Sequence, residues 1–264
     1  MEFETIIYDR TDAVATVTLN RPQALNAFTA ELRSELRSAL EIAAGDESVR
    51  AVLVQAAGKA FSVGQDLKEL AAAYQDEGFS LGRLVTNEYA PLVETLQMMP
   101  KPTIALIQGI ALGGGLSLAL SCDFRVLGPD ARLIAGFVNV GLAPDTGAAY
   151  LLPRMIGYAR ALHIFLTGKP LTAAEAVSLG LAERVHASAQ DAASAAYELA
   201  RTLANGPTLA YPGIRQLLHD TATLDLPAAM RQEAAVQERL SHTQDHRNAV
   251  SSFLERQPPQ FDGQ

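Results

Sequence analysis

Three consecutive glycines, Gly113 to Gly115, stand between an unbroken apolar run and a short apolar helix pattern, and they constrain this chain more than any other feature. The stretch reads KPTIALIQGIALGGGLSLALSCD and ends at Asp123. Thr103 to Gln108 is apolar without alternation, the pattern of a strand covered on both faces. A turn through Gly109 and the triplet then lead into a helix. Glycines at such a start let another segment lie against the backbone, and the helix aims free N–H groups and its positive dipole end at that spot. Such a place stabilises a negative oxygen. The same residues also suit an ordinary tight strand-to-helix turn, and on this segment alone both readings stand.

A second stretch, KAFSVGQDLKEL from Lys59 to Leu70, is another small-residue turn after the apolar strand Ala51 to Gln55. Two turns at parallel strand ends can each give one backbone N–H to the same oxygen, as an acyl-transfer or enolate site requires. With these two segments the chain resembles the crotonase (enoyl-CoA hydratase/isomerase) superfamily. The resemblance extends over nearly the whole chain through LNRPQALNAF, AFSVGQDL, the glycine-triplet block, GLAPDTGAAYLLPRMIG, LTGKPLTAAEAVSLGLAERV and FLERQPPQF, in that order. It implies an α/β fold, a ββα spiral core over residues 1–205 followed by a C-terminal helical oligomerisation region over 206–264, assembled as a trimer or hexamer. It also implies an acyl-CoA thioester as substrate, with no cofactor beyond the CoA that the substrate carries.

Carried over residue by residue, the resemblance puts the oxyanion hole at the backbone N–H groups of Gln65 and Gly114. CoA and acyl contacts are expected from Arg21, Ala24, Phe61, Gly64, Asp66, Leu67, Gly113, Phe137 and Leu142. Read without it, Gln65 is a helix-start residue, and Phe61 and Tyr89 are aromatics of the core type.

Hydratases of the family carry two glutamates, and counting along this chain places those positions at Ser117 and Phe137. Adding water across a double bond needs one group to activate the water and another to deliver a proton. Serine and phenylalanine supply neither, so hydration is not expected. Asp145, in GLAPDTG, matches the aspartate of the isomerases and of the aroyl-CoA dehalogenase; by itself it is equally an N-cap after Pro144. Phe137, Val138 and Leu142 are expected to make its surroundings apolar and to raise its pKa. One carboxylate suits a 1,3-proton shift, in which Asp145 takes a proton from one carbon of an unsaturated acyl-CoA and returns it to another. Within the family the pattern looks most like the members that rearrange a ring-epoxide acyl-CoA in phenylacetate breakdown. The alternatives are nucleophilic catalysis by Asp145, of the dehalogenase or thioesterase type, a generic hydratase-like member, and a non-catalytic RNA-binding member.

At 264 residues with 48% hydrophobic content, the chain suits one large core with a helical extension, and no apolar run approaches a membrane span. Its formal charge of −8 argues against nucleic acid and anionic membranes as partners. MEFETIIYDR has no apolar signal-peptide region, and the single cysteine, Cys122, fits a reducing cytoplasm. The five histidines show no metal-ligand spacing beyond His242 and His246, which read as a solvated helix face.

Elsewhere, Phe3–Tyr8 and Ala13–Leu19 read as a hairpin turning through Asp9–Asp12. One amphipathic helix is expected over Leu84–Met98, behind a mobile polar segment at Gln75–Ser80. Short strands are expected at Phe124–Leu127 and Leu133–Ala135, a capping box at Thr172–Glu175 and a long helix over Ser188–Asn205. The helical tail from Leu209 is expected to break at Pro212-Gly213 and at Pro227. Its apolar residues Leu217, Leu218, Leu226, Ala229, Ala235 and Leu240 suit either an interface or packing on their own domain.

Overall fold

Between residues 6 and 19 the β-rich sequence pairs as a hairpin, β1 (Ile6–Thr11) against β2 (Val14–Leu19), in the computed structural model, which describes residues 3–264. The reversal falls at Asp12 and Ala13, later than composition suggested. Asp12 takes φ +53°, a left-handed conformation that aspartate tolerates better than the β-branched Thr11 beside it.

Thr29 then caps α1 (Ala30–Gly45), its side chain accepting the Leu32 N–H, and Leu32, Leu36 and Leu40 turn one face inward. After β3 (Ala51–Ala56) comes a three-residue strand, β4 (Ala60–Ser62), too short to show a period. Asp66 caps α2 (Leu67–Ala73). The helix expected over 84–98 is three pieces: α3 (Leu81–Leu84), a π turn over Val85–Tyr89, and α4 (Ala90–Gln97). It begins early because the Ser80 hydroxyl caps Arg83 N–H.

The apolar run from Thr103 folds as two strands, β5 (Thr103–Ile107) and β6 (Ile110–Leu112), followed by α5 (Gly114–Ser121), which is buried on every side. β7 (Phe124–Leu127) and β8 (Arg132–Ile134) repeat the arrangement. Three successive ββα turns thus lay one strand in each of two sheets. The five-stranded sheet runs β1-β2-β3-β5-β7, parallel beyond the hairpin. The second runs β4-β6-β8-β9, where β9 (Leu171–Thr172) closes the edge antiparallel.

A 3-10 turn at Phe137–Val140 leads to α6 (Ala148–Ile156) and α7 (Tyr158–Thr167). The capping box opens α8 (Ala173–Ser178), and α9 (Ala189–Ala204) lies between Ser188 and Asn205 as its caps. Alanines 192, 196, 200 and 204 form one stripe of α9 and seat it on Ala51, Leu53, Ile104 and Leu106. The opposite faces of β3 and β5, with Val52, Val54, Ala105 and Ile107, belong to the core of Leu32, Leu36 and Leu40. This double cover explains why these strands do not alternate. Each leucine so buried stabilises by roughly 1.5–3 kcal/mol.

The tail is α10 (Ala210–Asp220), α11 (Leu226–Ser241) and α12 (Gln244–Leu254). Pro212 breaks nothing, since it sits in the first turn of α10, where the missing N–H has no helical partner, whereas the tail does break just ahead of Pro227, which opens α11. Arg215 docks α10 by pairing with Asp123 at 2.5 Å, while Asp123 also accepts the Thr103 N–H at 2.8 Å. Val236 alone in α11 is buried, and Leu218 and Leu226 remain 74% and 72% exposed. No helix among the described residues is long and apolar enough to cross a membrane.

Candidate active site

The turn after β4 is stitched to the residues before α1 by one peptide bridge. Phe28 N–H donates to Gly64 O at 2.7 Å, and Asp66 N–H donates to Phe28 O at 3.0 Å. These bonds use the groups on either side of Gln65, so the Gln65 N–H faces away from the bridge. On that side lies the start of α5. A Cβ on Gly64, which has φ +77°, would stand 3.1 Å from Gly114 N, and one on Gly115 would stand 2.5 Å from Ser62 O. Only glycine permits this approach. No protein acceptor meets the Gln65 N–H or the Gly114 N–H among the described residues. Two residues with unspent N–H groups therefore lie side by side.

Both line a cavity of about 350 Å³, shared with Gly113, Tyr89, Phe137 and Asp145 together with leucine and valine side chains. Gly64, Leu67 and Leu142 also line it. Arg21, Ala24 and Asp66 do not; Arg21 pairs with Asp66 at 3.3 Å beside the lining. Phe61 does not reach the cavity either. It is 1% exposed in the core, because the short β4 turns it beneath the sheet. Val138, expected beside Asp145, is outside the lining, and Val140 takes that place.

Asp145 is not an N-cap, since α6 starts at Ala148 after Gly147. Its carbonyl accepts the Ala148 N–H at 2.9 Å, and its Oδ1 accepts the Thr146 hydroxyl at 2.8 Å. Burial pushes its carboxyl above the usual aspartate range, and the Thr146 hydroxyl opposes the shift. A carboxyl so placed is a better proton acceptor than an exposed aspartate once ionised.

A sequence profile described as enoyl-CoA hydratase/isomerase matches residues 9–264. The chain belongs to this family. It is 36% identical to the 1,2-epoxyphenylacetyl-CoA isomerase of Escherichia coli over 95% of each chain. It is also 36% identical, over the full length of both, to a Rhodobacter capsulatus protein named probable enoyl-CoA hydratase. A crystal structure described as an enoyl-CoA hydratase/isomerase from Mycobacterium abscessus superposes with a TM-score of 0.93 at 38% identity, covering 98% of this chain and all of that one. The ββα spiral is thus the crotonase fold.

At the two positions where hydratase glutamates were expected, Ser117 and Phe137, neither residue carries a carboxylate. Ser117 is fully buried, its hydroxyl 3.2 Å from Gly113 O and 3.4 Å from Asp145 O, so its proton serves main-chain oxygens. Phe137 presents a ring to the cavity. Among the described residues, Asp145 is accordingly the one carboxylate of the lining.

Sequence reasoning missed Arg33 and Thr146. Arg33, 2% exposed, reaches Phe28 O and Gln65 Oε1 at 3.0 Å each, Glu69 at 3.1 Å and Glu88 at 2.7 Å, and its guanidinium lies 5.2 Å from the Tyr89 ring centre. An arginine beside Leu32 on an amphipathic helix carries no signal of burial. Tyr89, read as core, is both buried and part of the cavity wall. The π turn advances it toward Gln65, and π turns recur at functional sites. Among the described residues no cluster of His, Cys, Asp or Glu is disposed to hold a metal ion.

Proposed function

We propose that the protein is an acyl-CoA isomerase, moving a double bond, or rearranging a ring epoxide, in an acyl group held as its CoA thioester. The observation that carries this reading is a single carboxylate, Asp145, in a cavity lined also by two residues with unspent N–H groups. The thioester oxygen accepts from Gln65 and Gly114 N–H, which stabilise the negative charge that develops when a neighbouring carbon loses its proton. Asp145 takes that proton and returns it two carbons away. Hydration has no second acid or base to use, with Ser117 engaged by backbone and Phe137 apolar.

The apolar lining favours a neutral aliphatic or aromatic acyl group. The relative named 1,2-epoxyphenylacetyl-CoA isomerase supports extending the reading to an aromatic substrate. CoA is assigned to the strip Arg21, Ala24, Asp66 and Leu67, and no further cofactor is needed. The exposed Leu218 and Leu226, with Phe253 81% exposed on α12, support assembly through the C-terminal helices as a trimer or hexamer.

The test is 3-hexenoyl-CoA in deuterated water, with conjugation followed by absorbance and label by mass spectrometry. Conjugated product, without hydration of crotonyl-CoA, is the expected result. Hydration at a comparable rate would overturn the reading, and a covalent aspartyl ester at Asp145 would replace it with nucleophilic catalysis.

A further inference from the structure

Thr146 holds a conformation that its own chemistry resists. Among the described residues Asp12, Leu25, Asn26, Thr146 and Arg256 are the non-glycine residues with positive φ, and Thr146, at φ +50°, is the one that is β-branched. A β-branched residue there is a genuine outlier and persists only where the surroundings over-determine it. Thr146 is 5% exposed and lines the cavity, and its hydroxyl donates to Asp145 Oδ1 at 2.8 Å. No other hydrogen bond reaches that carboxyl among the described residues. The Asp145 main chain is anchored separately, through Ala148 N–H and Ser117. Thus the main chain is fixed by α5 and α6, and the orientation of the carboxyl is left to Thr146.

We propose that Thr146 is a positioning residue: its strained backbone aims the hydroxyl at Asp145 Oδ1 and leaves Oδ2 as the oxygen that carries the travelling proton. The proposal rests on the reading of Asp145 as proton shuttle. A donor held on Oδ1 keeps the carboxyl plane fixed while Oδ2 receives the proton and gives it back, so that neither transfer waits for rotation about the side chain. The bond also favours the ionised carboxylate, the form that must be present to start a turnover. The surroundings supply no cation to do this. From the π turn Asp145 faces the neutral Tyr89 phenol, from α5 the uncharged Ser117, and from the 137–142 segment Phe137 and Leu142. Arg33 is occupied by Glu69, Glu88 and Gln65, and its guanidinium packs against the Tyr89 ring.

The experiment titrates Asp145 by carbon-13 NMR on aspartate-labelled wild type, Thr146→Ser, Thr146→Ala and Thr146→Gly. The pH dependence of kcat/KM on 3-hexenoyl-CoA is measured alongside. Losing the donor raises the Asp145 pKa by about half a unit to one unit in the alanine and glycine variants, and moves the acid limb of kcat/KM upward equally. The kcat of both falls about tenfold, whereas serine stays within twofold of wild type. Thr146→Gly, freed of the strain, melts no lower than Thr146→Ala while remaining as slow, an outcome that loss of packing does not give. An unchanged titration and kcat in Thr146→Ala overturn the proposal. If the titration moves but the kinetic limb does not, or Asp145→Asn keeps its turnover, the shuttle reading itself fails and Thr146 is a local hydrogen-bond donor only.

Discussion

The hydroxyl of Tyr89 donates to Oε1 of Gln65 across 2.6 Å, tying the π turn to a cavity-lining residue with an unspent N–H. The phenol is itself pushed above its ordinary pKa by burial, so it remains a donor at any working pH. Tyr89→Phe removes that bond but leaves the ring, whose edge lies 3.5 Å from where a Gly114 Cβ would stand. The net loss is about 1 kcal/mol. We expect kcat roughly fivefold lower with KM within twofold, read by steady-state kinetics. A rise in KM with unchanged kcat would mean that Tyr89 shapes the pocket without steadying Gln65.

Arg33 joins α1, the Phe28 bridge, α2 and the π turn from one buried side chain. Arg33→Met leaves Gln65 Oε1 with one donor and Glu69 and Glu88 without their cation. Because the Glu69 and Glu88 side chains are 34% and 40% exposed and regain water, the expected loss is that of charged hydrogen bonds, about 1.5–3 kcal/mol, on the order of 3–10 °C in Tm. Arg33→Lys recovers little, because an ammonium cannot reproduce the forked donation to four acceptors. Calorimetry of the two variants beside wild type decides it.

Asp145→Asn removes the proton carrier, and turnover falls by at least about 10²-fold while CoA-thioester binding stays nearly intact. Stability moves the other way. The folded pKa of Asp145 lies above the unfolded value, so this group's contribution is fully present below about pH 3.9 and is lost as pH rises through the folded value. The asparagine variant is therefore expected to melt higher than wild type at pH 8, with the advantage vanishing near pH 3.5. Equal melting at both pH values would contradict a buried, raised carboxyl.

Gly115→Ala forces a methyl to within 2.5 Å of Ser62 O and 2.8 Å of its Cβ. The start of α5 must move away from the Gly64 turn, at a cost of about 1–3 kcal/mol. Because Gly114 moves with it, kcat is expected to fall about tenfold or more. Gly45→Ala, where nothing stands within 4 Å, is the control and keeps wild-type kinetics.

The sequence by itself determined the covered strands, the glycine turns and the single acid, because each leaves a local mark: unbroken apolar runs, residues without Cβ, and missing carboxylates at Ser117 and Phe137. It also determined the long alanine-rich helix α9, whose stripe recurs at helical spacing, and the Thr172 capping box, whose hydrogen bonds lie within one turn. β4 and β6 left no separate mark because each follows a longer apolar strand, β3 or β5, within a few residues, and only their pairing with each other defines them. The tertiary structure alone decided that Phe61 goes to the core, that Arg33 is buried, and that Thr146 is held at positive φ with its hydroxyl on Asp145. The bond from Arg33 to Gln65 and that from Tyr89 to Gln65 join residues 32 and 24 positions apart. Hydrophobic periodicity reports which face of an element is covered. Which polar group waits on the other side of that cover depends on how distant segments stack, and only the packed chain specifies it.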